Sequence, residues 1–119
     1  MPPRKKSHTR RAKTFVVDLT HWLTEEGAIA AMPPPAQRLA EYMGRIVADA
    51  TGFLADQYPE QGVKCHCRPG RKPCPGIIEC DFEPETDRIA WWCPECGESG
   101  FISNWKGTLW DRTKDLTAH

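Results

Sequence analysis

The sequence predicts an α+β chain: a small antiparallel sheet of three to four strands, one amphipathic helix ahead of it, and a disordered basic N-terminus. Three observations lead there. Between residues 36 and 57 apolar residues recur at helical spacing. Between residues 76 and 105 short alternating stretches are divided by turn residues. All six cysteines (Cys65, Cys67, Cys74, Cys80, Cys93 and Cys96) fall in or beside that second region. A sheet so small buries too little apolar surface to stand alone, and clustered cysteines supply a staple.

Residues 1–13 contain almost no apolar side chain and should be disordered in isolation. Thr14-Phe15-Val16-Val17-Asp18-Leu19 is β-branched and aromatic enough for a short strand. Thr20 to Gly27 reads as one helical turn or a tight loop, with Thr20 as N-cap and Gly27 as stop. Met32-Pro33-Pro34-Pro35 is a stiff spacer, and Pro35 suits the first position of a helix. That helix is expected over about 35–57, its apolar stripe formed by Leu39, Met43, Ile46, Val47, Ala50, Phe53 and Leu54. Gly44 and Gly52 inside it each cost about 1 kcal/mol relative to Ala, so they either weaken the helix or mark close packing against the sheet. Pro59 and Gly62 end it.

Gly76 to Phe82 alternates as a strand, Glu83 to Asp87 is a turn, and Arg88 to Trp92 is the return strand. Phe101 to Trp105 is a third strand, and Thr108-Leu109-Trp110 a short fourth. The organisation expected is a tail at 1–13, a strand and helix segment at 14–63, a sheet domain at 64–111, and a C-terminal tail at 112–119.

A formal net charge of zero conceals segregation. Residues 1–13 carry Arg4, Lys5, Lys6, Arg10, Arg11 and Lys13 and no acid; residues 64–76 carry Lys64, Arg68, Arg71 and Lys72 and no acid. The stretches 14–63 and 77–119 are both acidic. Two concentrated positive segments on an acidic body suit an anionic partner, with nucleic acid the first candidate. The plainer reading is a solvated terminus and a neutralised body.

Cys93-Pro94-Glu95-Cys96-Gly97 is a tight turn that aims two thiolates at one point. Pro fixes φ and Gly supplies a conformation a Cβ forbids. Two further thiolates complete a tetrahedral metal site, and Cys65, Cys67 and Cys74 are the available donors. The start of the chain lacks the apolar core of a secretory signal, and no apolar run reaches membrane-spanning length. A cytoplasmic setting without membrane association is therefore expected, where cysteines serve as metal thiolates rather than disulfides.

A small antiparallel sheet with thiolate pairs at its ends resembles the zinc ribbon. The knuckle at 93–97 is similar to the second knuckle of zinc ribbons and of rubredoxins. The first knuckle departs from both, for no clean Cys-x-x-Cys-Gly precedes it. Cys74, just before Pro75-Gly76 and the first hairpin strand, occupies the place the resemblance assigns to a first-knuckle ligand. The set it implies is Cys67, Cys74, Cys93 and Cys96, with Cys65 as the substitute for Cys67, around one Zn²⁺; iron is the alternative. Cys80, mid-strand, reads better as a small buried hydrophobe. Residues 14–111 also resemble a group of small uncharacterised bacterial proteins. The shared features are Asp18 to Leu23, Arg68 to Gly76, and the knuckle ahead of Asn104-Trp105. That likeness implies a bacterial cytoplasmic setting and brings no activity.

Catalytic readings fit poorly. A thioredoxin-like Cys-x-x-Cys needs a following helix to lower its thiol pKa, and Gly97-Glu98-Ser99-Gly100 cannot propagate one. A zinc deaminase needs His-x-Glu, whereas His66 precedes Cys67-Arg68. The six-cysteine, two-zinc cluster requires a different spacing. Four thiolates close a coordination sphere that a catalytic metal needs open. No enzyme is expected. Two functions remain: nucleic-acid binding through the basic tail and loop, with Trp91, Trp92, Phe101, Trp105 and Trp110 as candidate stacking surfaces, or docking on a larger protein partner.

Overall fold

The computed structural model describes residues 14–54 and 62–113. The basic residues Arg4, Lys5, Lys6, Arg10, Arg11 and Lys13, and the helix end expected at 55–57, lie outside the described residues.

Strand β1, Thr14–Asp18, has the expected β-branched composition and alternating burial, with Val17 inward and Val16 outward. Asp18 then turns the chain: its Oδ1 accepts from the Thr20 N–H at 2.9 Å and from the Thr20 hydroxyl at 2.6 Å. The short 3₁₀ turn Leu19–Trp22 follows, so Asp18 and not Thr20 is its cap. Helix α1 spans Pro34–Leu54, one residue ahead of the expected start. Tyr42, Met43, Ile46, Val47 and Ala50 form its buried stripe, and it packs against β2 (Glu79–Phe82) and β3 (Ile89–Trp92). Gly44 does mark a close approach, but to the indole of Trp110 rather than to the sheet.

The expectation of an antiparallel sheet needs correction. The four strands run in the order β1-β4-β3-β2, with β4 at Ser99–Ser103. β2–β3 and β3–β4 are antiparallel, as hairpin neighbours should be, but β1 lies parallel to β4, pairing Thr14 with Ser99 through Asp18 with Ser103. Parallel neighbours need a long crossover connection, and the segment holding α1 supplies it. The fourth strand therefore comes from residues 14–18, while Thr108 to Trp110 form turns. Thr108, Gly107 and Asp111 stitch those turns: Asp111 accepts from the Gly107 N–H at 2.7 Å, and the Thr108 hydroxyl donates to the Trp105 carbonyl at 2.7 Å. The other strands shift by a few residues, Ile77 making only an isolated bridge to Lys64.

Register divides the sheet into two faces. Phe15, Val17, Cys80, Phe82, Ile89, Trp91 and Ile102 point toward the helix and join one core with its buried stripe. The other face carries Val16, Trp92, Phe101 and Ala90 in adjacent rows, with the Arg88 guanidinium 4.5 Å from the Phe101 ring centre. No helix among the described residues is long and apolar enough to cross a membrane.

Candidate metal centre

The second knuckle folds as its residues require. The Gly97 N–H donates to the Cys93 carbonyl at 2.9 Å, and the Cys93 N–H donates to the Glu98 carbonyl at 2.8 Å. Gly97 takes φ +83°, the left-handed conformation that the sequence reserved for it.

The first knuckle is built on the same plan, with an interruption. The Ile78 N–H donates to the Val63 carbonyl at 2.8 Å and the Cys65 N–H to the Gly76 carbonyl at 2.9 Å. Cys65 thus bonds to the residue two beyond Cys74, as Cys93 bonds to the residue two beyond Cys96. Between them the chain leaves the knuckle at Cys67 and returns at Cys74, whose N–H donates to the Cys67 carbonyl at 2.9 Å. That bond is the neck of an inserted loop, Arg68-Pro69-Gly70-Arg71-Lys72-Pro73. Without the insertion, Cys65 and Cys74 would stand as an ordinary Cys-x-x-Cys pair.

The four sulfurs of Cys65, Cys74, Cys93 and Cys96 all lie within 4.8 Å of one another. Cys65 Sγ is 3.7 Å from Cys96 Sγ, and Cys74 Sγ is 3.6 Å from Cys93 Sγ. Thiolates about 2.3 Å from a tetrahedral ion stand about 3.8 Å apart, so the spacing fits one ion and far exceeds a disulfide bond. Backbone N–H groups of Cys67 and Gly76 donate to Cys65 Sγ and Cys74 Sγ, each at 3.4 Å, and favour charge on those sulfurs. Gly76 is required: a Cβ there would overlap Cys93 Sγ.

The zinc-ribbon resemblance put Cys67 in this set and kept Cys65 as its substitute; the structure gathers Cys65 instead. Cys67 fails because it sits at the neck of the insertion, where its carbonyl rather than its sulfur is used. Spacing alone could not show that residues 68–73 leave the knuckle. Cys80 lies on β2, half-buried against the core and outside the group.

Burial opposes ionisation throughout and pushes the Cys65, Cys74 and Cys96 thiols up. Burial acts against Cys93 as well, yet the N–H groups of Cys96 and Glu95 and the neighbouring thiols Cys74 and Cys65 bring it below its ordinary value. Four such thiols cannot all ionise without a cation among them. Cys80 is a separate case, raised to about 11 by burial and then by Asp49 and Asp81. Its folded-state pKa exceeds the ordinary 9.0, so the stability it contributes is complete below pH 9.0 and is lost as pH rises through about 11. Cys80→Ala should therefore flatten the alkaline fall in stability, read from urea unfolding on both sides of that window.

The basic residues divide. Lys64, Arg68, Arg71 and Lys72 are exposed, and among the described residues none forms an ion pair. Gly70 and Arg71 both take positive φ, and the Arg68 Nη2 donates to the Arg71 carbonyl at 3.0 Å, which holds the loop in a tight turn. The aromatic residues mostly serve the core: Trp91 and Trp105 are buried, Trp105 donates from Nε1 to the Asp87 carbonyl, and Trp110 covers Gly44. They are not stacking surfaces. Of the five candidates, Trp92 and Phe101 share the outer sheet face.

Sequence reasoning missed the setting of His66. Its ring stacks on Tyr42 at 4.0 Å, and its Nε2 lies 3.0 Å from Oε1 of the buried Glu98. Nothing in the sequence links these three residues; only the knuckle brings them together. The chain matches no protein-family model, no curated protein and no solved structure.

Proposed function

We propose that this chain is a non-enzymatic zinc ribbon that binds nucleic acid through its inserted basic loop and basic N-terminal segment. The observation that carries this reading is the loop itself. An insertion in a cysteine knuckle that holds Arg68, Arg71 and Lys72, exposed and without a carboxylate partner among the described residues, costs chain entropy and adds little to the core. Such a segment is retained for what it touches. Lys64 extends the same positive patch, and Arg4, Lys5, Lys6, Arg10, Arg11 and Lys13 add a second. Zinc is the ion favoured for four clustered thiolates, with iron distinguished by elemental analysis and by colour. No disulfide forms among the six cysteines, which fits a reducing cytoplasm.

A salt titration of single-stranded oligonucleotide binding tests the reading. If the four loop-region cations contact phosphates, log K falls against log salt with a slope of about −3. Replacing Arg68, Arg71 and Lys72 by Ser lowers the slope by about 2 and leaves the metal content unchanged. Absent or salt-independent binding overturns the proposal.

One observation favours docking on a protein instead. The outer sheet face exposes Val16 to 75% and Trp92 to 37%, flanked by Asp18, Glu79 and Asp81. Carboxylates beside aromatics repel phosphate and suit a cationic protein surface. Capture of one protein that survives nuclease and is lost on Trp92→Glu would decide for this reading.

A further inference from the structure

We infer that the cleft between the first half of α1, the start of β1 and the first knuckle is a nucleotide-binding site. Its cavity of about 580 Å³ is lined by Phe15, Leu39, Tyr42 and His66, with the cations Arg38 and Arg45 and the acid Glu41 at its edge. That volume lies within the range of small-molecule pockets, about 300–1,000 Å³. Nothing in the sequence marked it, because its walls come from three distant segments.

The lining states its ligand's chemistry. Phe15 and His66 meet edge-on at 6.1 Å, and His66 is itself backed by Tyr42, so the aromatic wall is fixed in place. A planar ring is the natural occupant of such a wall. Arg38 and Arg45 stand two turns apart on one side of α1, both exposed, and Arg45 lies 6.0 Å from the Tyr42 ring centre. Two guanidiniums beside an aromatic wall ask for a planar ring that carries an anion, which is the constitution of a nucleotide. Glu41 accepts from Gln37 at 3.2 Å and leaves the rim with one net positive charge.

His66 ties the cleft to the loop. It lies in the cleft wall one residue after Cys65, and the basic loop begins at Arg68. A strand with one nucleotide seated in the cleft would therefore continue onto Arg68, Arg71 and Lys72. The inference rests on the nucleic-acid reading for the strand, while a free nucleotide would satisfy the same chemistry.

The test uses the full metal-loaded chain, a short fluorescein-labelled single strand, and AMP. Anisotropy should show Arg38→Gln with Arg45→Gln binding the strand about tenfold more weakly at low salt, with the salt slope reduced by about 1.4. Phe15→Leu, which keeps an apolar side chain, should weaken binding with the slope unchanged, because stacking releases no counterion. Metal content and circular dichroism confirm that each variant is folded. AMP that shifts the amide signals of Phe15, Tyr42 and His66 identifies a free-nucleotide site, and shifts seen with the strand alone identify a strand subsite. Should the cleft variants bind as the parent does while the Ser-substituted loop loses binding, the cleft assignment falls and the loop reading stands. Should neither probe bind the parent chain, both fall.

Discussion

Cys65→Ser is expected to abolish metal binding and unfold the two cysteine knuckles, whereas Cys67→Ser is expected to leave both intact. The two residues stand two apart in sequence, carry the same side chain, and differ only in which group the fold uses. Cys65 contributes its sulfur to the four-thiol group, and Cys67 contributes a carbonyl that serine would supply equally well. A structural zinc in a small domain contributes about 10–16 kcal/mol of apparent binding energy, comparable to the whole stability of a domain, about 5–15 kcal/mol. Losing one thiolate therefore removes the folded state rather than weakening it. Elemental analysis and near-ultraviolet circular dichroism on the two variants check this, and a chelator should reproduce the Cys65→Ser result in the parent chain. Acid should act in the same direction, since protons compete with the ion for the sulfurs. A Cys67→Ser variant that lost its metal would move the ligand assignment back to Cys67.

Trp91→Ala costs about 3–5 kcal/mol of stability, and Trp92→Ala about 0.5 kcal/mol. Trp91 is 1% exposed and stacks on Phe15 at 6.0 Å, with Tyr42 edge-on at 6.0 Å. Its removal leaves a void where sheet, helix and cleft meet. Trp92 points to the opposite face and loses little when truncated. Urea unfolding of the metal-loaded variants measures both.

This pair also shows how far the sequence could be read. Alternation requires that Trp91 and Trp92 face opposite ways, but cannot say which faces in; that depends on the side from which α1 packs. Helix α1, the β2–β3 hairpin and the second knuckle were legible because each is specified by residues close in sequence. The place of β1 was not, for its parallel partner β4 lies more than eighty positions away and no local pattern encodes that pairing. The first knuckle was half legible. Cys74 and its Pro-Gly could be placed, while Cys65 and Cys67 could not be separated until the ladder from Val63 to Ile78 fixed which of them faces Gly76. His66, Glu98 and Tyr42 left no trace in the sequence, since contact among them depends on all of those placements at once.

The neck between Cys67 and Cys74 separates two kinds of change. Loop-closure cost grows only slowly with length, and a segment pinned at its base by one backbone bond transmits little to the sulfurs beyond it. Substitutions, insertions and deletions among residues 68–73 should thus be tolerated while Cys65, Cys74 and Gly76 stay invariant. The arrangement behaves as a socket with an exchangeable fitting. An unrelated peptide sequence grafted between Cys67 and Cys74 would inherit a rigid base, because the hydrogen bonds that shape the knuckle lie outside the loop.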